Sequence, residues 1–147
     1  MKTYVLDSFA LLAMFRNEPG APRVQRIFSL GFAGEASLVI AVVNLGEVIY
    51  RTIREFGAKR AQAVLGECRT LPIAVVAIDE QLAIAAAIIK GTIRISYADC
   101  IAAALAQRLD ATLVSSGKSR TSQSNGFRGR RYPNACSAVN GVMSRLR

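Results

Sequence analysis

Three widely separated acidic residues, Asp7, Glu47 and Asp99, each lie within or beside an apolar run of the sequence. Burying an unpaired ionised carboxylate is costly, so such residues are normally neutralised, paired with a cation or bound to a metal ion. Three carboxylates brought together without a cation would repel one another and raise one another's pKa values. Because Mg²⁺ and Mn²⁺ prefer oxygen ligands, these acids favour a divalent metal site.

The rest of the composition excludes several other kinds of site. The sequence has no histidine, and its 3 cysteines are widely spaced, which fits neither a disulfide framework nor a zinc site. The Ser-His and Cys-His nucleophile pairs are excluded as well. The run Ser116-Gly117-Lys118-Ser119 resembles the end of a phosphate-binding P-loop, but the upstream glycine of that motif is missing. Any resident metal is therefore expected to be held by oxygen atoms.

The positive charge of the chain lies mostly in its C-terminal part. The 147 residues carry a formal net charge of +9 and an apolar share of 52%, which is typical of one folded domain. Residues 1–115 hold 12 Lys or Arg against 10 Asp or Glu, whereas residues 116–147 hold 7 basic residues and no acidic one. We therefore expect a domain over 1–115 and an atypical basic segment over 116–147. Three interpretations of that segment stay open: a disordered solvated extension, an RNA-binding tail and altered coding of the C-terminus.

The apolar stretches indicate a protein without a membrane helix. The two most apolar ones, residues 36–45 and 82–89, are much shorter than the roughly 20 residues that cross a bilayer. The first residues also lack the apolar core and cleavage site of a secretory signal. We expect a cytoplasmic location.

Apolar runs alternate with helical patterns along residues 1–115, and this alternation predicts a parallel sheet covered by helices on both faces. The predicted strands are Lys2–Asp7, Ser37–Ala41, Pro72–Ile78 and Ala111–Val114. Helices are predicted over 9–15, 22–30, 45–56, 58–70, 81–90 and 97–109, with Ser8, Asn44, Asp79 and Ser96 as N-terminal caps. Asp7 then lies at the carboxyl end of the first strand, the edge where open α/β sheets bind ligands. We expect the three acids to converge there.

Each acid also has a structural explanation that the sequence leaves open. Asp7 would cap the first helix, and Asp99 follows Ser96 at the spacing of a capping box. Glu47 would form an i,i+4 ion pair with Arg51. The set of three is more specific than any one of its members.

Four segments together resemble the successive motifs of PIN-domain ribonucleases, especially the VapC toxins. They are Val5-Leu6-Asp7-Ser8, Asn44-Leu45-Gly46-Glu47-Val48, Ser96-Tyr97-Ala98-Asp99-Cys100-Ile101-Ala102-Ala103-Ala104 and Leu109-Asp110-Ala111-Thr112-Leu113-Val114. The resemblance implies a PIN-like α/β/α sandwich with a central parallel sheet of four or five strands. It also implies a homodimer, Mg²⁺- or Mn²⁺-dependent endoribonuclease activity on RNA, and inhibition by a cognate antitoxin. By position, Asp7, Glu47 and Asp99 correspond to the first three catalytic and metal-binding acids of that family.

The segment after the fourth strand departs from this family. The family continues with a Thr-Gly-Asp-like segment that completes the acidic cluster, whereas here Val114 is followed by Ser115-Ser116-Gly117-Lys118. Ser115 can replace the hydroxyl residue and, with Ser8, could orient the site, but the missing fourth acid is expected to weaken metal affinity and turnover. Two alternatives stay open. One is a catalytically impaired PIN-like protein that binds an antitoxin or RNA. The weaker one is a phosphotransferase with Asp7 as nucleophile, since no second aspartate follows two residues later.

Overall fold

The computed structural model describes residues 1–115, over which four strands alternate with six helices. The strands are β1 (Lys2–Leu6), β2 (Ala36–Ala41), β3 (Ile73–Val76) and β4 (Thr112–Val114). The helices are α1 (Ser8–Phe15), α2 (Ala21–Phe32), α3 (Val42–Phe56), α4 (Ala58–Thr70), α5 (Glu80–Thr92) and α6 (Tyr97–Arg108). No helix in this part of the chain is long and apolar enough to cross a membrane. The interpretations of the basic segment concern residues outside the described range.

The four strands form one parallel sheet in the order β3-β2-β1-β4. Leu6 at the end of β1 lies opposite Ile40 of β2 and Val114 of β4. The amide of Asp7 donates a hydrogen bond of 3.1 Å to the carbonyl of Val114, which continues the pairing by one residue. The chain leaves β1 towards β2 and β3, then returns to β4 on the other side of β1. Open α/β sheets bind ligands where the strand order reverses in this way, and Asp7 lies at that point.

Alternate side chains of the strands fill two cores, one on each face of the sheet. Val5 and Val39 pack with buried residues of α5 and α6 on one face. Leu6 and Ile40 pack with buried residues of α1, α2, α3 and α4 on the other face. The predicted α/β/α sandwich with a central parallel sheet is therefore confirmed, with four strands in the described residues.

The structure corrects two of the predicted helix caps. Asp7 rather than Ser8 caps α1, because its extended backbone places the carboxylate within 2.8 Å of the amide of Ala10. Helix α3 begins at Val42, so Asn44 lies inside the helix instead of capping it. Both corrections concern strands that run almost directly into a helix, and the observed cap lies one residue before Ser8 in α1 and three residues before Asn44, at Ala41, in α3.

The other two predicted caps are confirmed. The side chain of Asp79 accepts a hydrogen bond from the amide of Leu82, and that of Ser96 accepts one from the amide of Asp99. Helix α4 has the predicted bounds, Ala58–Thr70. These features depend on residues a few positions apart, which is why the sequence predicts them correctly.

Candidate active site

Asp7 is the most buried of the three acids, and its pKa is raised. Its side chain is 4% exposed at the junction of β1 and α1. Burial raises the pKa of Asp7 from 3.8 to about 6, although hydrogen bonds from the Ser115 side chain and the Ala10 amide act in the opposite direction. The negative charges of Asp99 and Glu47 make a smaller contribution to the same rise. Asp7 thus experiences the charge of both other acids, as expected if the three approach one another at the carboxyl edge of the sheet.

Glu47 is buried on α3, and both of its carboxylate oxygens have hydrogen-bond donors. Ser8 donates from its hydroxyl to Oε2 over 2.7 Å. Arg51 donates from Nε to Oε1 over 2.8 Å, and the Tyr50 hydroxyl lies 3.4 Å from the same oxygen. The i,i+4 ion pair that the sequence offered as a structural explanation for Glu47 is therefore present. In this arrangement the negative charge of Glu47 is compensated within the protein.

Arg51 is held from two sides. Its guanidinium lies 4.8 Å from the centre of the Phe9 ring, which is a favourable cation–π distance. Burial lowers the pKa of Arg51, but the hydrogen bond and the negative charge of Glu47 outweigh burial and raise the pKa above its ordinary value. The side chain remains 34% exposed. Arg51 is therefore fully charged at neutral pH, and its outer side faces water.

Asp99 lies in the first turn of α6, and a buried asparagine on α3 connects the two helices beside it. The Nδ2 atom of Asn44 donates a hydrogen bond of 3.1 Å to the carbonyl of Ala98. Asn44 is fully buried, and within the described residues its Oδ1 atom has no hydrogen-bond partner. Sequence reasoning missed this contact, although Asn44 precedes Glu47 by three residues and so shares its helix face.

The carboxylate oxygens of the three acids are ligand atoms that Mg²⁺ and Mn²⁺ prefer. A divalent cation would also compensate the burial and the repulsion that raise the pKa of Asp7. Within residues 1–115, however, no three side chains of the His, Cys, Asp or Glu type are grouped so that they could hold a metal ion as placed. Asp7 and Asp99 supply carboxylate oxygens of the kind that such an ion binds. Glu47 fits only if a water intervenes or if it exchanges one of its present donors.

Comparisons with known proteins agree with the fold. The sequence profile of the PIN domain matches residues 4–120. No curated protein matches the chain.

Several solved structures share the fold. VapC20 of Mycobacterium tuberculosis, described as a toxin that cleaves the sarcin-ricin loop, superposes with a TM-score of 0.61 and 14% sequence identity over 74% of this chain and 84% of its own. A toxin-antitoxin complex from Klebsiella pneumoniae superposes with a TM-score of 0.59 and 14% sequence identity, over 85% of this chain and 92% of its own. DNA-bound VapBC from Salmonella typhimurium superposes with a TM-score of 0.57 and 23% sequence identity, over 78% of this chain and 85% of its own. At these identities the similarity shows the fold.

Proposed function

The chain belongs to the PIN domain family, and from this we propose that it is a metal-dependent endoribonuclease, the toxin of a VapBC-type toxin-antitoxin pair. The observation that supports this most is the raised pKa of Asp7, which comes mainly from burial and to which the charges of Asp99 and Glu47 also contribute. A buried acid with a raised pKa at the ligand-binding edge of a sheet is a candidate for a functional site. The proposed substrate is RNA, and the proposed site of action is the cytoplasm.

In this proposal Asp7 and Asp99 hold Mg²⁺ or Mn²⁺, and Glu47 contributes directly or through water. Such an ion, when bound, supplies a water of lowered pKa and neutralises charge on a phosphodiester. Ser8 fixes the orientation of Glu47 through its 2.7 Å hydrogen bond. The Ser115 side chain favours the ionised form of Asp7, because its hydrogen bond lowers the pKa of that carboxyl. Ser8 would thus keep Glu47 oriented, and Ser115 would favour the ionised form of Asp7 that binds a cation.

The proposed partners are a cognate antitoxin and a second copy of the chain. A cavity of about 230 Å³ lies between α1, α3 and α4 and combines apolar with basic lining. Its lining residues are Leu12, Phe15, Arg16, Thr52, Phe56, Arg60 and Val64. Phe56 is 59% exposed there. Arg16 and Arg60 already pair with Glu55 and Glu67 at 2.7 and 2.8 Å, so an antitoxin segment with apolar side chains would fit this surface.

A second candidate function is a PIN-domain protein that binds its antitoxin or RNA but no longer cleaves RNA. Two observations favour it. The sequence places no acid shortly after Val114, and Glu47 is already neutralised by Arg51 at 2.8 Å. Such a protein would retain the fold and the antitoxin surface while its site binds metal too weakly for turnover.

The two functions are separated by assaying purified protein, freed of any antitoxin, on a panel of structured RNAs with Mn²⁺ or Mg²⁺. Asp7→Asn removes a proposed ligand. Asp110→Asn is its matched control, because Asp110 is an exposed acid before β4, at the opposite edge of the sheet. Asparagine also tolerates the left-handed backbone at Asp110, where φ is 47°.

We expect metal-dependent cleavage by the wild type and Asp110→Asn, and its loss in Asp7→Asn and with a chelator. If well-folded wild type leaves every RNA intact with either metal, the proposed nuclease is wrong, and an intact antitoxin complex would then support the second candidate. Cleavage that survives Asp7→Asn or chelation would point to a contaminating nuclease.

A further inference from the structure

The protein itself contributes a positive charge next to one of the acids. Arg51 Nε lies 2.8 Å from Oε1 of Glu47, one helical turn away on α3. A glutamate that precedes an arginine by four residues is in the favourable order for such a pair, so the contact needs no further support to form. Arg51 thus binds the same acid that a divalent ion at this site would use.

The second oxygen of Glu47 offers a metal ion no easier access. Oε2 accepts the hydroxyl of Ser8, and Ser8 is fully buried. The Glu47 side chain is itself only 6% exposed, whereas that of Arg51 is 34% exposed. Of the two main donors to Glu47, Arg51 is therefore the one that can leave towards water without opening the core.

The aromatic contact keeps Arg51 in this position while it is bound. The Phe9 ring, 4.8 Å from the guanidinium, follows Asp7 and Ser8 at the start of α1. Phe9, on α1, therefore packs against the guanidinium that pairs with Glu47 on α3. A positive charge there disfavours a nearby divalent cation by Coulomb repulsion as well as by occupying Oε1.

We propose that Arg51 is a built-in competitor of the divalent metal for Glu47, holding the acid when no ion is bound and moving aside when an ion enters. Arg51 is in this sense a positioning residue, since it acts through Glu47. The inference rests on the proposed metal site. It accounts for a buried, fully hydrogen-bonded Glu47 in a site that lacks a fourth acid, because the arginine supplies the compensating charge that the ion would supply.

The test is Mn²⁺ affinity, measured on the full chain by calorimetry and by the loss of the electron paramagnetic resonance signal of free Mn²⁺. Arg51→Gln removes the charge, and Arg51→Met removes it while keeping apolar contact with Phe9, in case the first variant folds poorly. Arg51→Lys keeps the charge. Arg54→Gln is the matched control, because Arg54 lies on the same helix and contacts the Tyr50 ring at 4.8 Å.

We expect Arg51→Gln and Arg51→Met to bind Mn²⁺ about fivefold more tightly or better, because a unit positive charge next to the ion is removed. Arg51→Lys should stay near the wild-type affinity, and Arg54→Gln should change it by less than about twofold, since that charge is more distant and screened. A purely structural ion pair would leave Mn²⁺ affinity unchanged and alter only thermal stability.

The outcomes separate this inference from the proposed function. If the wild type binds Mn²⁺ and Asp7→Asn weakens that binding, the proposed metal site is supported. If, in addition, the neutral Arg51 variants bind Mn²⁺ no more tightly than Arg54→Gln, the proposed competition by Arg51 is wrong. If neither the wild type nor any folded Arg51 variant binds Mn²⁺ at millimolar concentration, both the metal site and the competition are wrong.

Discussion

The Ser8 hydroxyl donates a hydrogen bond of 2.7 Å to Oε2 of Glu47, 39 residues further along the chain. Ser8 directly follows Asp7, so this contact connects the end of β1 to the middle of α3. Because both residues are buried, water cannot replace either partner without cost. The position of Glu47 relative to Asp7 is therefore determined by the packing of α1 against α3.

Ser8→Ala should lower the stability of the protein. The substitution leaves Oε2 of the buried Glu47 carboxylate without its donor, which typically costs about 1–3 kcal/mol in the free energy of unfolding. Urea unfolding followed by circular dichroism measures this change. Ser29→Ala is the matched control, since Ser29 is exposed and, in the part of the chain that the structure describes, bonds only to the Gln25 carbonyl of its own helix. Equal losses from both substitutions would mean that the contact with Glu47 contributes nothing of its own.

Asp7→Asn should make the metal-free protein more stable at neutral pH. The pKa of Asp7 is about 6 in the folded protein, above its ordinary value of 3.8, so the folded state binds a proton more tightly than the unfolded state. Stability contributed by Asp7 is therefore greatest below about pH 4, decreases as the pH rises to about 6, and is constant above that. The full shift corresponds to about 3 kcal/mol, and asparagine retains the ability to cap α1.

This prediction is checked by urea unfolding in the presence of a chelator at pH 4, 5, 6 and 7.5. The advantage of Asp7→Asn over the wild type, relative to its value at pH 4, should grow up to about pH 6 and then level off. The exposed-acid control Asp110→Asn should show no such pH dependence. A wild type that gains stability relative to Asp7→Asn between pH 4 and 7.5 would contradict the raised pKa.

Asn44→Ala should destabilise the junction between α3 and α6. Asn44 is fully buried and donates to the Ala98 carbonyl, so the substitution removes a donor and leaves a cavity. We expect a decrease of about 1–3 kcal/mol in the free energy of unfolding. Gln62→Ala, at an exposed position on α4, should remain within about 0.5 kcal/mol of the wild type. A neutral Asn44→Ala would show that the hydrogen bond to Ala98 does not form in solution.

Gly117→Asp should strengthen Mn²⁺ binding and RNA cleavage if the proposed nuclease is right. Counting a Thr-Gly-Asp pattern from Ser115 places the missing acid at Gly117, outside the described residues, so this prediction rests on spacing alone. An added carboxylate ligand should increase Mn²⁺ affinity about tenfold, because hard divalent ions gain from each charged oxygen. Calorimetry and the cleavage assay measure both effects. Ser119→Asp adds the same charge two residues later, and an equal gain there would indicate a general charge effect.

Local relationships were predicted well from the sequence. The caps formed by Asp79 and Ser96, the bounds of α4 and the alternation of strands and helices all depend on residues within about one turn or one strand of each other. Asp7 was correctly placed at the carboxyl end of the first strand, since the strand is marked by a short apolar run. The two wrong caps, Ser8 and Asn44, lie where a strand passes into a helix almost without a loop, and there the sequence pattern does not set the register.

The sequence by itself determined that any metal site here has oxygen ligands, because it contains no histidine and no clustered cysteines, and that three acids flank buried segments of a parallel α/β fold. The i,i+4 pair of Glu47 with Arg51 also follows from spacing, whereas only the tertiary structure decided which residues from other helices contact the site. Arg51 and Ser8 both donate hydrogen bonds to Glu47, and the bond from Ser8 forms only because α1 lies beside α3. The bond from Asn44 to Ala98 likewise depends on the approach of α3 to α6. Packing of distant segments selects among the partners that local sequence allows, which is why the contacts of α3 with α1 and α6 could not be predicted from residue spacing.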